Sequence, residues 1–356
     1  MSAARADRLV GRLRERELDW LLVTNLVNVR YLTGFTGTNG MCVVGPQGRV
    51  FLTDFRYDER AKAEVPDFER ARGQRDLLGD AAARLSGRAG FEDQHMSVRQ
   101  HERLRGLVRE GVELVAAGGI VEELRAVKEP EELRAMREAA SLADDMYEYI
   151  ASRGLVGRTE REVARDVERE MRARGAEDRS FPSIVAAGAN GALPHATPGS
   201  AAIGPDTLVI VDMGCRVDGY CSDCTRTFAT GSLSDEAGSV YELVLATQEA
   251  SLAAIRAGAE CRAVDAMAHD LIAAAGYGER FGHGLGHGVG LEIHEAPRLT
   301  QSSVDGALAA GNTVTVEPGV YVPGEFGVRI EDLVVVTDDG CEVLGHFPKP
   351  LITLGK

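Results

Sequence analysis

The stretch Thr207-Leu-Val-Ile-Val-Asp-Met-Gly-Cys-Arg-Val-Asp-Gly-Tyr-Cys-Ser-Asp223 decides the reading of this chain. Thr207 to Val211 is a β-branched apolar run of the kind that forms a buried strand, and Asp218-Gly219 is a strong hairpin signal. With those two residues as the turn, Val217 faces Tyr220. Counting back sets Asp223 opposite Gly214, with Asp212 diagonal to it on the same face. Gly214 is expected to leave room between the two carboxylates. An unpaired charge closing a buried strand is costly, so Asp212 and Asp223 read as a functional pair rather than as two solvated acids on an edge hairpin.

Two further segments carry residues of the same chemistry. In Gly282-His-Gly-Leu-Gly-His-Gly-Val-Gly-Leu-Glu-Ile-His294-Glu-Ala-Pro-Arg298, three of the chain's eight histidines fall within twelve residues. The alternating glycines are expected to strip the backbone bare so that His283, His287 and His294 approach a ligand closely. The other segment runs Asn312-Thr-Val-Thr-Val-Glu-Pro-Gly-Val-Tyr321 and then Gly327-Val-Arg-Ile-Glu-Asp-Leu-Val-Val-Val336. Glu317 and Glu331 each stand in or at the end of a β-branched strand, and Pro323-Gly324 between them suggests two adjoining strands of one sheet.

Asp212, Asp223, His287, Glu317 and Glu331 thus supply four carboxylates and one imidazole. Four converging carboxylates without a counterion would repel one another and take up protons, whereas two divalent cations about 3.5 to 4 Å apart would neutralise them. Oxygen-rich ligation of this kind suits manganese, with cobalt, zinc or iron also admitted, and the absence of thiolates argues against a structural zinc. Two other motifs fail. His294-Glu295 begins the pattern of a helical zinc peptidase, but Arg298 stands where the second histidine belongs. Neither G-x-G-x-x-G nor G-x-x-x-x-G-K-[ST] occurs, so nucleotide binding has no support.

The segments VDMGCRVDGYCSDCTRTF, FGHGLGHGVGLEIHEAP, VTVEPGVY and GVRIEDLVVV resemble the metal-site motifs of the Xaa-Pro peptidases, the prolidase and aminopeptidase P group of the pita-bread metallopeptidases. The match is ordered and covers roughly residues 130 to 356. The resemblance implies an α+β protein with a C-terminal pita-bread catalytic domain, behind a smaller α/β domain of the creatinase/prolidase type. It implies that Asp212, Asp223, His287, Glu317 and Glu331 hold two metal ions, bridged by Asp223 and Glu331. It places His294 near the scissile carbonyl with His283 and Arg329 flanking it, Tyr321 against the substrate, and His195 of Ala187-Gly-Ala-Asn-Gly-Ala-Leu-Pro-His195 in the same pocket. Arg298 matches a position that in some prolidases holds the substrate's free carboxylate, a task a guanidinium suits; a surface acid is its alternative partner.

The reaction expected of such a site is attack by a water that two cations have acidified, with His294 stabilising the oxyanion and Glu317 carrying the proton to the leaving nitrogen. The substrates implied are small peptides with proline second, cleaved by an aminopeptidase P or by a dipeptidase. A hydrolase or lyase of a modified amino acid on the same scaffold, or a non-catalytic binding protein of this fold, are the alternatives; the latter predicts eroded ligands, and none is eroded.

Composition agrees. With 356 residues, 44% hydrophobic and 27% charged, the chain can bury a large core and is expected to form two domains. We place them at 1–126, an N-terminal α/β unit, and 127–356, the catalytic unit, with Pro130 in the first turn of a long helix. A formal charge of −15 argues against nucleic acid. No run suits a signal h-region or a membrane span, and six cysteines fit reduced thiols in the cytoplasm. Cys221-Ser-Asp-Cys224 lacks a second pair for a zinc cage, and on a strand its thiols would face opposite sides; Cys215, Cys221 and Cys224 read as packing around Asp223. Tyr31-Leu-Thr-Gly-Phe-Thr-Gly-Thr-Asn-Gly40 resembles the region of larger Xaa-Pro peptidases that closes over a partner subunit's site, which implies a homodimer; a connecting loop is the plainer reading. Glu160-Arg-Glu-Val-Ala-Arg-Asp-Val-Glu-Arg-Glu170 reads as a solvated helix face.

Overall fold

Trp20-Leu-Leu-Val23 is apolar at every position and buried at every position, as a strand covered on both faces must be. The computed structural model describes residues 2–74 and 76–355, and the chain divides into two units, Met1–Arg125 and Ala126–Lys356.

In the first unit, β1 (Trp20–Val23) lies inside a six-stranded sheet with β2 (Gly40–Gly45), β3 (Gly48–Thr53), β4 (Glu69–Arg72), β5 (Arg88–Phe91) and β6 (Glu113–Ala116), in the order β4-β3-β2-β1-β5-β6. β1 runs antiparallel to β2 and parallel to β5. Six helices accompany the sheet: α1 (Ser2–Glu15), α2 (Leu26–Thr33), α3 (Asp58–Glu64), α4 (Leu78–Ala82), α5 (Val98–Leu107) and α6 (Ile120–Ala126). Tyr31 to Thr33, expected as loop, close α2, which ends where Gly34 turns left-handed at φ 84°. The loop beyond is held within its own unit: Thr36 donates twice to Glu64, and Asn39 Nδ2 donates to Asp54.

The second unit repeats one pattern, two helices followed by antiparallel strands. α7 (Pro130–Arg153) begins with Pro130 at its first turn behind a Glu129–Glu132 capping box, and α8 (Glu160–Ala173) follows. The strands after them are β7 (Asp178–Arg179), β8 (Ile184–Ala187), β9 (Leu208–Met213), β10 (Cys215–Val217), β11 (Tyr220–Cys221) and β12 (Cys224–Ala229). α9 (Asp235–Ala254) and α10 (Cys261–Ala274) open the second half. It continues with β13 (Gly286–Gly288), β14 (Glu295–Leu299), β15 (Thr313–Val316), β16 (Gly319–Val322), β17 (Phe326–Arg329), β18 (Asp332–Val336) and β19 (Cys341–Val343). Each half has its own apolar cluster. Ala139, Ile150, Val163 and Val167 pack with Val209 and Phe228 in one; Val240, Val264, Ile272, Val314 and Val334 make the other. Tyr147 is fully buried and its hydroxyl donates to Cys224 O at 2.7 Å. The repetition is a matter of shape, since helical and strand periods recur without recurring residues.

Two expectations change. Glu160 is not part of a solvated face: it is 5% exposed. The alternating glycines act between strands as well as beside the cavity that Gly284 and Gly286 line. A Cβ on Gly286 would stand 2.0 Å from Thr315 O, and one on Gly288 would stand 2.4 Å from Ala296 O. Glycine lets β13 lie against both neighbours, β14 and β15.

Gly286→Ala should therefore force backbone apart and lower the unfolding free energy by roughly 1–3 kcal/mol. Gly282, where an added Cβ meets nothing within 4 Å, is the control, and Gly282→Ala should change it by no more than about 0.5 kcal/mol. Urea unfolding of the two variants measures the contrast; equal effects would refute this account of the glycines.

Candidate metal centre

Every candidate carboxylate stands at the edge of a strand that a partner holds in register. Val217 pairs with Tyr220 and Asp212 with Thr225, so the ribbon keeps one register through the Asp218-Gly219 turn and Asp223 falls opposite Gly214. The reason for Gly214 differs from expectation. Its missing Cβ makes way for Ser222 O, which a Cβ would meet at 1.9 Å, and for Ser180 Oγ. β15 pairs with β18, ending at Val316↔Asp332, and β16 pairs with β17 from Gly319↔Arg329. One long hairpin therefore turns at Pro323-Gly324 and splits into two sheets. Glu317 and Glu331 stand on either side of the split.

Asp223, His287 and Glu331 present ligand atoms that all lie within 4.8 Å of one another. His287 Nε2 is 3.6 Å from Asp223 Oδ2 and 3.4 Å from Glu317 Oε1. His287 Nδ1 sits 3.0 Å from Gly288 O. A carbonyl only accepts, so Nδ1 carries the hydrogen and Nε2 offers its lone pair. Thr225 Oγ1 donates to Glu331 Oε2 at 2.7 Å, and Thr315 Oγ1 donates to Glu317 Oε1 at 3.1 Å. These two threonines are absent from the expectations drawn from sequence. Each stands two residues from a carboxylate, Asp223 and Glu317 respectively, and period two puts it on the same face.

Asp212 is turned toward Arg329, whose Nη2 donates to Asp212 Oδ2 at 2.7 Å. Arg329 Nη1 donates to Tyr321 Oη at 2.8 Å, and Arg329 Nε donates to Thr225 Oγ1 at 3.2 Å. His283 Nδ1–H donates to Gly284 O at 2.8 Å, which leaves His283 Nε2 to accept from the Tyr321 hydroxyl at 3.0 Å. Arg329, Tyr321 and His283 are expected from the sequence to touch substrate. Here their polar atoms face one another and Asp212, and Arg329 is 3% exposed.

The donor set fits divalent cations. Asp212 Oδ1 is buried with no hydrogen-bond partner among the described residues, a costly arrangement unless something electropositive meets it. Burial drives the Asp223 carboxyl well above the usual carboxylate range, and the charges of Glu331, Asp212 and Glu317 add to it. Glu331 is raised well above the usual range by burial and then by Glu317 and Asp212. Burial also raises Glu317, against His283 and Arg329, and lowers His287. The three carboxyls are thus held toward the neutral form, which a bound cation would reverse, and His287 is held in the neutral form that ligates a metal.

One cavity of about 460 Å³ gathers Asp212, Asp223, His287, Glu317 and Glu331 with His195, His283, His294, Arg298, Tyr321 and Arg329. Phe181, Pro182, Ile184, Pro194 and Ile293 give it an apolar side. His294 and His195 are exposed, and the His294 ring meets His287 edge-on at 4.3 Å between centroids. Partial desolvation where it faces the cavity, and then the neighbouring His287, hold His294 below the ordinary histidine value. Arg298 is exposed on the cavity wall; Asp305 accepts from its backbone N–H, and no carboxylate pairs with its guanidinium among the described residues. Cys215, Cys221 and Cys224 are buried free thiols, with burial raising Cys215 to about 12 and Cys221 to about 11.

Residues 134–338 match the model of metallopeptidase family M24, and residues 5–127 match that of the creatinase/prolidase N-terminal domain. An uncharacterized peptidase of Bacillus subtilis, YqhT, is 40% identical over 99% of this chain and 100% of its own length. Among solved structures, an Xaa-Pro dipeptidase from Bacillus anthracis is 38% identical and superposes with a TM-score of 0.96, covering 99% of this chain and 100% of the other. An X-Pro aminopeptidase from Thermotoga maritima is 32% identical at a TM-score of 0.89, covering 98% of this chain and 99% of the other.

Raised carboxyls bind protons in competition with a cation, so metal uptake should release protons and strengthen as pH rises. Titrating chelator-stripped protein with manganese in buffers of different ionisation enthalpy measures that release. Glu331→Gln should release fewer protons and bind more weakly, and uptake without proton release would count against the cluster as ligand.

Proposed function

We propose a substrate and a reaction for this site from one premise: the chain belongs to metallopeptidase family M24. Our reading is a dinuclear-metal exopeptidase that hydrolyses Xaa-Pro bonds, of the dipeptidase type. The observation that carries it is a single cavity that joins the carboxylate cluster to an apolar side and to the Arg298 guanidinium, which pairs with no carboxylate among the described residues. Its volume of about 460 Å³ lies within the roughly 300–1,000 Å³ of small-molecule sites.

In this reading Asp212, Asp223, His287, Glu317 and Glu331 hold two divalent ions, manganese by preference for an oxygen-rich set. Bound there, the cations supply an acidified water nucleophile and polarise the scissile carbonyl. The protein's own groups do the rest. Arg329 fixes Asp212, while Thr225 and Thr315 fix Glu331 and Glu317, so the ligands are oriented before any cation arrives. Glu317 carries a proton to the leaving nitrogen, a role suited to a buried carboxyl whose Oε1 is held by Thr315. His294 and His195, exposed to the cavity, donate to the carbonyl oxygen as charge develops on it.

A bond before proline is a tertiary amide with no N–H to recognise, so selection falls to shape. Phe181, Ile184 and Ile293 provide an apolar wall for the ring. Arg298 receives the free carboxylate of a dipeptide in fork geometry. The aminopeptidase P type is the second reading, favoured by the likeness to the Thermotoga maritima enzyme. The reading sets the enzyme, as a homodimer, in the reducing cytoplasm, which suits six cysteines that form no disulfide.

Release of alanine from Ala-Pro, Ala-Pro-Ala and Ala-Ala-Ala tests the proposal, using chelator-stripped protein with and without manganese. Metal-restored cleavage confined to the proline peptides, fastest on Ala-Pro, is the expected result; cleavage of Ala-Ala-Ala or of nothing would refute it. Arg298→Ala should raise KM for Ala-Pro by roughly ten- to a hundredfold, the worth of a hydrogen-bonded charge, and leave kcat little changed. An unaltered KM would remove Arg298 from the substrate site.

A further inference from the structure

The cavity wall that carries Pro194, His195 and Ala196 has no regular strand or long helix of its own. It is the segment that leaves β8 at its last residue, Ala187, and runs to Gly199, with a short 3-10 turn at Gly188–Ala192. A segment of that kind would be mobile unless tied down. It is tied to one buried carboxylate. Glu160, in the first turn of α8, accepts from Ala187 N at 2.7 Å through Oε1. Through Oε2 it accepts from Asn190 Nδ2 at 2.8 Å and from Gly199 N at 2.6 Å. Both ends of the segment and one residue inside it therefore converge on a single side chain.

The other side of the segment is held by strand β17. A Cβ on Gly327 would come within 2.0 Å of Gly191 O, so the two backbones touch where neither has a side chain. Arg329, two residues on, donates through Nη1 to Pro194 O at 3.3 Å. His195 thus sits between two fixed points, one on the carboxylate of Glu160 and the other on the strand that leads to the metal-ligand cluster.

We propose that Glu160 is the positioning residue of the substrate wall: its carboxylate sets the place of His195 without touching substrate. A carboxylate is suited to the task because it is acceptor-only, and charged hydrogen bonds to N–H groups are shorter and stronger than neutral ones. Glutamine at this site would turn an N–H₂ toward at least one N–H donor, leaving it unpaired in a buried place at the full cost of desolvation. The inference rests on the proposed function in one respect, that His195 faces the substrate. The anchor itself rests on the hydrogen bonds alone.

Hydrogen exchange and kinetics on the full chain separate the two. Glu160→Gln should speed exchange at the Ala187 and Gly199 amides by roughly ten- to a hundredfold, with protection in β9 unchanged. On Ala-Pro it should lower kcat/KM to about the level of His195→Ala at unchanged metal content. The double variant should lose nothing further, because both changes disable one unit. Unchanged exchange between residues 187 and 199, or losses that multiply in the double variant, would overturn the proposal. Should Glu160→Gln fail to fold, Asn190→Ala takes its place. It removes one donor and leaves both backbone amides on the carboxylate, so the same effects should appear at reduced size; their absence overturns the proposal equally. If the wild-type enzyme cleaves no Xaa-Pro peptide, the substrate reading falls, and the exchange result alone decides the anchor.

Discussion

Four acids share a buried space in which like charges cannot all remain ionised, and the second unit is organised around that constraint. Two carboxylates about 4 Å apart repel by roughly 4 kcal/mol at an effective dielectric near 20. Asp223, Glu317 and Glu331 are accordingly all pushed above the usual carboxylate range when no cation is near, with burial as the largest cause in each. Arg329 is a built-in counterion for the fourth, Asp212. The other three depend on what is bound. A fold that keeps such a cluster has to supply the orienting groups from elsewhere, and Thr225, Thr315 and the Gly288 carbonyl do so.

Much of this is legible in the sequence because strands have period two. The Asp218-Gly219 turn sets the register from Val217 and Tyr220 back to Asp212, and Glu317 and Glu331 announce themselves as acids in β-branched runs. Residue types alone show the charge imbalance, since four converging acids and one imidazole would be neutralised by divalent cations. The two-unit plan and Pro130 at the start of α7 follow from ordinary start signals.

The glycines and the hydrogen-bond partners elude sequence for one physical reason. Sequence displays which side chain is absent, but not which neighbour needs the space. Gly286 and Gly288 suggest a path cleared for a ligand, and Gly214 suggests room between two carboxylates; the three make way for Thr315 O, Ala296 O and Ser222 O. Charge patterning fails at Glu160 in the same way. A helix rich in both signs suggests a wet surface, yet one of its acids is inside because three donors from a loop some 30 residues on reach it. Contacts at that separation leave no periodic trace.

A second buried arginine extends the constraint to the end of the chain. Arg226 Nη1 donates to Glu331 O at 2.5 Å, and Arg226 Nη2 donates to Asp332 Oδ1 and to Phe347 O, both at 2.8 Å. The Arg226–Asp332 pair is 3% and 1% exposed by side chain, and Lys349 reaches Asp332 Oδ2 at 2.9 Å. Breaking a buried pair by removing one partner costs about 3–5 kcal/mol, far more than the pair is worth against an apolar replacement. Such a pair is therefore better understood as specifying an arrangement than as supplying stability. What it specifies here is the backbone of Glu331 and the path of the C-terminal segment beneath it. Arg329 holds a carboxylate of the cluster from the cavity side, while Arg226 holds the main chain of another from behind. Glu331 is consequently fixed at its carbonyl by one neighbour and at its carboxylate by Thr225, which leaves little freedom for the carboxylates to swing apart and relieve their repulsion. A cluster that cannot relax in that way can shed its repulsion only by taking up protons or cations, and that rigidity suits it to holding a cation.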